Sequence, residues 1–474
     1  MLARLKALPF PILLTVLTGL RLIAAARAPL VPDETYYWLW AQHPALGYYD
    51  HPPMVAWWID ATAWLGASAL SVRLLFVLSF AALSWLVFDT AKVLFGQAVA
   101  RRSLLWLNAC LLLSLWTVGA TPDPPSVVMW AGGLWALARL RASGAGGWWL
   151  VFGLFAGLGV EAKYTNFFLG LGVVLWFGLD REARKWLLTP WPWLGAIAAA
   201  AAMAPNLMWN AQHHWLTVAK QFGRIAPAQV TLKYLVEFLV LQPVLFNLPA
   251  FVFVAAGATA WWRDRRNGAL TLLVALPLPL IAYMLLHVFH DRIQGNWTAP
   301  LFPGLVVLAA AGAENVTGKW LTRLRDWTAP VGIGIGGIAL LACCLGNIGP
   351  GAGWDRLARD AAAKAHMAGA TWIATVDYDT EGELTYHLRG TDVTAMEERD
   401  RYNWPNADAA HLGRTALIVV PANRRPDLGH CFAGISDLGT VSRGGKSARS
   451  DFHLYAGRLS AINCEVPESA SPPM

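Results

Sequence analysis

The stretch PDETYYWLWAQHPALGYYDHPPM, Pro32 to Met54, follows the first apolar run of the chain. It packs adjacent acids (Asp33, Glu34), a third acid beside a histidine (Asp50, His51), paired prolines and a belt of aromatics into one short span. Pro32 reads as the start of a helix lying along a membrane interface, with Asp33 at or near the N-cap and Glu34 in the first turn. Asp33 therefore reads equally as a cap and as a catalytic acid. Asp50-His51-Pro52-Pro53 reads as a proline-bounded turn that caps the apolar MVAWWI beyond it.

What surrounds this stretch is mostly grease. Of 474 residues, 56% are hydrophobic and only 14% charged, with 26 Trp, and the mean hydropathy is +0.43. Soluble domains carry about a quarter charged residues, so the composition describes a polytopic membrane protein, and tryptophan favours the interface. Apolar runs fall at 8–27, 71–95, 103–120, 125–140, 148–162, 164–180, 191–209, 231–262, 269–288, 299–316 and 328–349. That is about 11 transmembrane helices, given the roughly 20 residues a helix needs to cross the hydrocarbon. The run 231–262 is long enough to be broken at Pro243 or Pro249. The basic, apolar N-terminus resembles a signal peptide, but the many later spans favour a retained first helix.

Every second connection is basic: Arg4/Lys6, Arg101/Arg102, Arg139/Arg141, Arg181/Arg184/Lys185, Arg263/Arg265/Arg266 and Lys319/Arg323/Arg325. By the positive-inside rule these face the cytoplasm, with the N-terminus. The net charge of +7 is thereby used on membrane topology, and no nucleic-acid partner is expected. The first outer loop (28–70), TPDPPS, EAKYT, QHHWLTVAKQFGRIAPAQ and HDRIQGNW then gather on the periplasmic side.

From about residue 351 the material changes. TWIATVDYD, GELTYHLRG, TALIVVPAN and DFHLYAGRL read as strands, WDRLARDAAAKAHMAG as a helix, and PESASPPM as a disordered end. The expected organisation is a transmembrane catalytic domain, 1–350, and a small periplasmic α/β domain, 351–474. Cys431 and Cys464 lie in this tail, where a disulfide and two free thiols are both compatible with the sequence. GIGIGG at 332–337 sits in an apolar run and points to close helix packing.

Each outer connection brings a polar group with an ordinary explanation. Asp123 is a plausible N-cap, Lys163 a snorkelling side chain, and His287, His290, Asp291, Arg292, Asn296 and Trp297 an interfacial loop. Their placement on one side is harder to explain singly, because acids and cations converging at a membrane face suit an anionic headgroup. Glycosyl transfer from a phosphate-linked sugar uses such a set: a base for the acceptor hydroxyl and positive charge on the departing phosphate. A carboxylate pair with Lys163 and Arg292 meets that need.

The succession DETYYWLW, GYYDHPPM, TPD, KYT and NWTAPLFP resembles bacterial GT-C glycosyltransferases of the family 39 type, related to protein O-mannosyltransferases and to lipid A aminoarabinose transferases. The resemblance spans roughly residues 5–350. It implies a polyprenyl-phosphate-sugar donor, inversion at the anomeric carbon, and a first-loop acid as base, a role that falls on Asp33 with Glu34 beside it. Relatives commonly read acid-Lys-Pro-Pro where this chain has Asp50-His51-Pro52-Pro53. Asp50 keeps the acid, which in relatives can take a metal, so a divalent cation (Mg, Mn or Zn) is an open expectation there, with His290 as a second ligand. His51 replaces the phosphate-binding lysine and is charged only below about pH 6.5, which shifts that task toward Lys163 and Arg292. Asp123 matches the second-loop acid. Tyr37, Tyr49, His290, Asn296 and Trp297 are expected to organise substrate, and Tyr36, Tyr37, Trp38, Tyr48 and Tyr49 to anchor the interface or stack on sugars.

The expectation is thus an inner-membrane hexosyl- or pentosyltransferase acting on lipid A, lipopolysaccharide or another envelope glycan or lipid, without nucleotide or redox cofactor. A protein O-mannosyltransferase-like enzyme acting on Ser/Thr is the alternative within the class. A lipid-linked-substrate flippase is the alternative outside it, disfavoured by the absence of repeats and of midplane charges.

Overall fold

The computed structural model describes residues 10–223, 230–314, 316–345, 349–402, 404, 408–444 and 450–467. Arg4, Lys6, most of PESASPPM and part of the QFGRIAPAQ stretch lie outside them. Helices fill the first three quarters of the chain. By length and composition, Ala69–Phe95, Gly268–His287 and Lys319–Cys344 are each apolar enough to cross a membrane alone. Three bent pairs pass that test jointly: Leu14–Arg27 with Pro32–Gln42, Arg181–Leu188 with Trp191–Gln212, and Lys233–Phe246 with Leu248–Arg263.

The bends carry the architecture. The chain turns by 85° between the first helix and Pro32–Gln42, so the acidic helix leaves the direction of the span. Its N-terminus is closed by Glu34, whose Oε2 accepts the Val31 N–H at 2.9 Å, the return half of a capping box. Val31 is the N-cap and Pro32 the first helical residue, so Asp33 is not a cap. The run 231–262 breaks by 100° at Asn247 rather than at either proline. Asn247 adopts φ 110°, its Oδ1 accepts the Ala250 N–H at 3.3 Å, and its Nδ2 donates to Ala109 O at 3.1 Å and Thr328 O at 3.2 Å. Two short helices replace one long span because the kink's polar groups are satisfied from neighbouring elements. Close helix packing falls mainly elsewhere than GIGIGG: a Cβ at Gly153 would lie 2.0 Å from Gly195 O, whereas Gly334 and Gly337 meet nothing. Gly332 alone in that run packs tightly, against Asn247 and Ala109.

The basic connections are more than simple turns. Arg139 Nε donates to Asp89 at 2.8 Å, Arg141 Nη1 to Asp180 at 2.7 Å and Arg102 Nη1 to Glu314 at 2.6 Å.

The C-terminal part is a five-stranded sheet, β1 (Trp372–Thr375), β2 (Val393–Ala395), β3 (Thr415–Pro421), β4 (Phe432–Ser442) and β5 (Asp451–Leu459), in the order β2-β1-β3-β5-β4. The first three strands run parallel, and β3-β5 and β5-β4 antiparallel. The helix Trp354–Met367 forms where expected, and Leu357, Ala358 and Ala361 bury against this sheet. GELTYHLRG is not a strand: Asp377 Oδ1 accepts the Thr380 N–H at 2.8 Å and starts the helix Tyr378–His387. β4 had no alternating signature, because it is an edge strand with most residues exposed. Cys431 and Cys464 are joined in a disulfide with Cα atoms 5.7 Å apart.

Candidate active site

Asp50 and Asp123 are held by side-chain partners and are not caps. Asp50 precedes a helix whose N-cap is Pro53 and has no side-chain cap. Its carboxylate instead accepts the Tyr36 hydroxyl at 3.0 Å and the guanidinium of Arg401. Asp123 is the first residue of its helix and accepts Lys163 Nζ at 2.7 Å, Asn296 Nδ2 at 2.7 Å and Trp116 Nε1 at 3.2 Å. Lys163 is buried and paired rather than snorkelling. Both acids thereby have the charge-assisted partners that buried carboxylates require.

Asp33, Asp50 and Asp123 line one cavity of about 360 Å³ with His51, Lys163, Lys220, Asn296, Trp297, Tyr36, Tyr37, Tyr378 and Arg401. Phe168, Tyr283 and Met284, from apolar helices, complete part of its wall. Asp33 is exposed to this space and, among the described residues, makes no hydrogen bond or ion pair. The protein closing around it raises its pKa, and the charges of Glu34, Asp50 and Asp123 add to the rise. Asp379, in the first turn of the helix Tyr378–His387, is pushed up to about 7 by burial and then by Asp377 and Asp33.

Other expected site residues stand elsewhere. Glu34 is wholly buried: its oxygens take Arg73 Nε at 2.6 Å, Arg73 Nη2, the Ala120 N–H at 2.8 Å and the Val31 N–H. It joins three chain segments and does not line the cavity, so the expectation of a shared catalytic role is corrected. Arg292 is an exposed partner of Glu237, with Nε at 2.7 Å, and is likewise outside the cavity. His290 packs on His287 with ring centroids 4.5 Å apart and is not in the lining. Tyr49 also lies outside the lining, its ring 4.9 Å from Lys220 Nζ and 5.3 Å from the Arg401 guanidinium carbon. Tyr36, Trp38 and Tyr48 are buried inside the protein, and Tyr36 also reaches the cavity lining. They are buried in a cluster that includes Tyr378, Tyr386, Tyr402 and Trp404 of the C-terminal domain.

A divalent cation at Asp50 meets an unsuitable donor set. The carboxylate is engaged by Tyr36 and Arg401, and a cation there would face that guanidinium. Among the described residues no three His, Cys, Asp or Glu side chains gather for a metal. No step is therefore derived through one.

Sequence reading missed Lys220, Arg401 and Tyr378. Lys220 sits in the short helix Leu216–Gly223, with no motif to mark it, and its carboxylate neighbour Glu398 is 3.8 Å away. Arg401 and Tyr378 belong to the tail, and no linear signal tied them to a loop some 350 residues earlier.

A family model of dolichyl-phosphate-mannose-protein mannosyltransferases matches residues 50–209. The lipid A galacturonosyltransferase RgtD of Rhizobium johnstonii is 28% identical over 382 residues, which is 75% of this chain and 77% of that protein. ArnT from Cupriavidus metallidurans, solved with undecaprenyl phosphate bound, matches with a TM-score of 0.68 at 15% identity, over 97% of this chain and 99% of that one. The archaeal oligosaccharyltransferase AglB from Archaeoglobus fulgidus, solved with an inhibitory peptide and a dolichol-phosphate, matches with a TM-score of 0.52 at 10% identity, over 86% and 69% of the two chains. At those identities the solved structures speak for the fold, and the ArnT match includes the C-terminal domain.

Proposed function

We propose that this membrane glycosyltransferase, a bacterial GT-C enzyme of the family 39 type, moves a sugar from a polyprenyl phosphate to lipid A or a related lipopolysaccharide acceptor at the periplasmic face. The observation that carries the reading is Asp33: among the described residues its carboxylate has no partner, while Asp50 and Asp123 are held by cations. A general base needs a free lone pair and a pKa that lets it take a proton, and its neighbours push Asp33 that way. In this reading Asp33 removes the acceptor hydroxyl proton as the oxygen attacks the anomeric carbon. The bond to the phosphate oxygen breaks with inversion, and the lipid phosphate leaves as an anion.

That phosphate needs positive charge. Lys163 already serves Asp123 at 2.7 Å, whereas among the described residues Lys220 has a more distant carboxylate at 3.8 Å and the Tyr49 ring at 4.9 Å. Lys220, which lines the cavity as His51 does, is thus the better donor-phosphate contact, and Lys163 holds the Asp123 wall. Phe168, Tyr283 and Met284 offer the apolar side on which a polyprenyl chain approaches. The lipid A acceptor is favoured by the curated relative, and the lipid-phosphate donor by the ligand of the matching ArnT structure.

The test uses purified protein in nanodiscs, an undecaprenyl-phosphate-linked sugar and lipopolysaccharide. Asp33→Asn is expected to lower turnover by at least about 100-fold while the protein remains folded. Wild-type turnover in that variant contradicts the assignment, and transfer to a Ser/Thr peptide but not to lipopolysaccharide replaces the acceptor.

A further inference from the structure

The helix that carries Asp33 is gripped from outside the membrane domain. Arg401, in a short turn of the C-terminal domain, binds the Asp50 carboxylate, and its Nε binds Glu398 at 2.5 Å. The same Asp50 oxygen accepts the hydroxyl of Tyr36, which follows Asp33 by three residues and so shares its side of the helix. The Asp50 carbonyl accepts Gln221 Nε2 at 2.6 Å. Tyr378 packs its ring 4.8 Å from Tyr36 and 4.6 Å from the Arg401 guanidinium carbon.

A second grip lies one helix turn along. At Gly382 the helix Tyr378–His387 meets the backbone of Pro32–Gln42: a Cβ there would stand 2.8 Å from the Tyr36 nitrogen and 3.1 Å from the Thr35 carbonyl carbon. Asp33 has no side-chain partner of its own among the described residues. The aim of its carboxylate is therefore set by how its helix is seated. Reactions of this kind are sensitive to such seating, since a misplacement of about 1 Å can cost a factor of about 100.

We infer that Arg401 is a positioning residue of the transfer reaction, and that the C-terminal domain, through Arg401 and the Gly382 contact, seats the helix from which Asp33 acts. The inference rests on the reading of Asp33 as the base. It makes the soluble-looking tail a working part of the active site. Arg401 acts here through Asp50 and Tyr36, not by binding substrate: both of its assigned hydrogen-bonding partners are carboxylates of this chain.

The experiment compares wild type, Arg401→Met, Arg401→Lys and Gly382→Ala in nanodiscs. Steady-state kinetics, native mass spectrometry with undecaprenyl phosphate, and hydrogen exchange of the peptide spanning residues 32–42 are measured. Arg401→Met is expected to lower kcat about 10- to 100-fold, with the donor KM and undecaprenyl phosphate binding unchanged and exchange in 32–42 accelerated. Arg401→Lys should recover part of kcat, and Gly382→Ala should lower kcat without touching any charge. Arg425→Ala, whose guanidinium among the described residues bonds the carbonyls of Ala422 and Arg424, should behave as wild type. Weakened undecaprenyl phosphate binding with kcat preserved would make Arg401 a donor ligand and overturn the inference. So would unchanged exchange and kcat in both Arg401→Met and Gly382→Ala. Full turnover in Asp33→Asn overturns the base assignment instead, and the exchange readout still judges the seam by itself.

Discussion

Asp33 and Glu34 stand in the same turn of helix, yet Glu34 is ringed by Arg73, Val31 and Ala120 donors while Asp33 faces an open cavity with no partner among the described residues. Adjacent helix positions point about 100° apart, so one side chain can turn inward and the other outward. The sequence could mark both as unusual but could not sort them, because Glu34's partners lie 39 and 86 residues further along the chain. Asp33's surroundings have a kinetic consequence. Loss of solvent between the cavity walls and three neighbouring carboxylates raise its pKa, and in the proposed role it works as a base only when ionised. The acid limb of the kcat–pH profile is therefore expected above the ordinary Asp value of about 3.9. Asp123→Asn removes one of the negative neighbours and leaves Lys163, so it should move that limb to lower pH. A limb that stays in place would separate Asp33 from the acid that titrates.

At the scale of elements, the acidic helix depends on a buried tie. Arg73, in the helix Ala69–Phe95, donates to Ala25 O at 3.0 Å, Ala28 O at 2.7 Å and Pro29 O at 2.9 Å as well as to Glu34. It therefore satisfies carbonyls at and just beyond the end of the first helix and neutralises the buried acid of the second. Arg73→Ala strands the Glu34 charge, and breaking a buried pair in this way costs about 3–5 kcal/mol. Thermal unfolding in detergent should show a clear fall in Tm, and Glu34→Gln in the same chain should recover part of it. An unchanged Tm in Arg73→Ala would show that the tie is not structural. Helix starts and stops were largely legible here, since apolar runs and prolines mark them. Misreadings came where a side chain from elsewhere decided the matter. Asn247, satisfied by Ala109 and Thr328, moved the break between two prolines, and the Asp377 cap turned GELTYHLRG from strand into helix.

The whole molecule is an array of helices, several apolar enough to cross a membrane, with a five-stranded sheet packed beside it, and the cavity is lined from both. Composition marks the apolar helices and the first-loop motif suggests the kind of chemistry, and the fold brings Asp33, Asp50 and Asp123 into one cavity. The seam was not legible. The sequence offers interface anchoring or sugar stacking for the aromatics of the first loop, because their partners Tyr378, Tyr386, Tyr402 and Trp404 belong to a distant segment that, as a string, shows no tie to them. Arg401 was invisible for the same reason: an ion pair across 351 residues leaves no periodicity. The central claim remains that Asp33, free among paired acids, is the base of a sugar transfer to the outer-leaflet glycolipid. It is tested most directly by mass spectrometry of lipid A from a strain lacking this protein, complemented with wild type or with Asp33→Asn. A defined sugar mass should vanish on deletion and return only with wild type. Its return with Asp33→Asn would contradict the account.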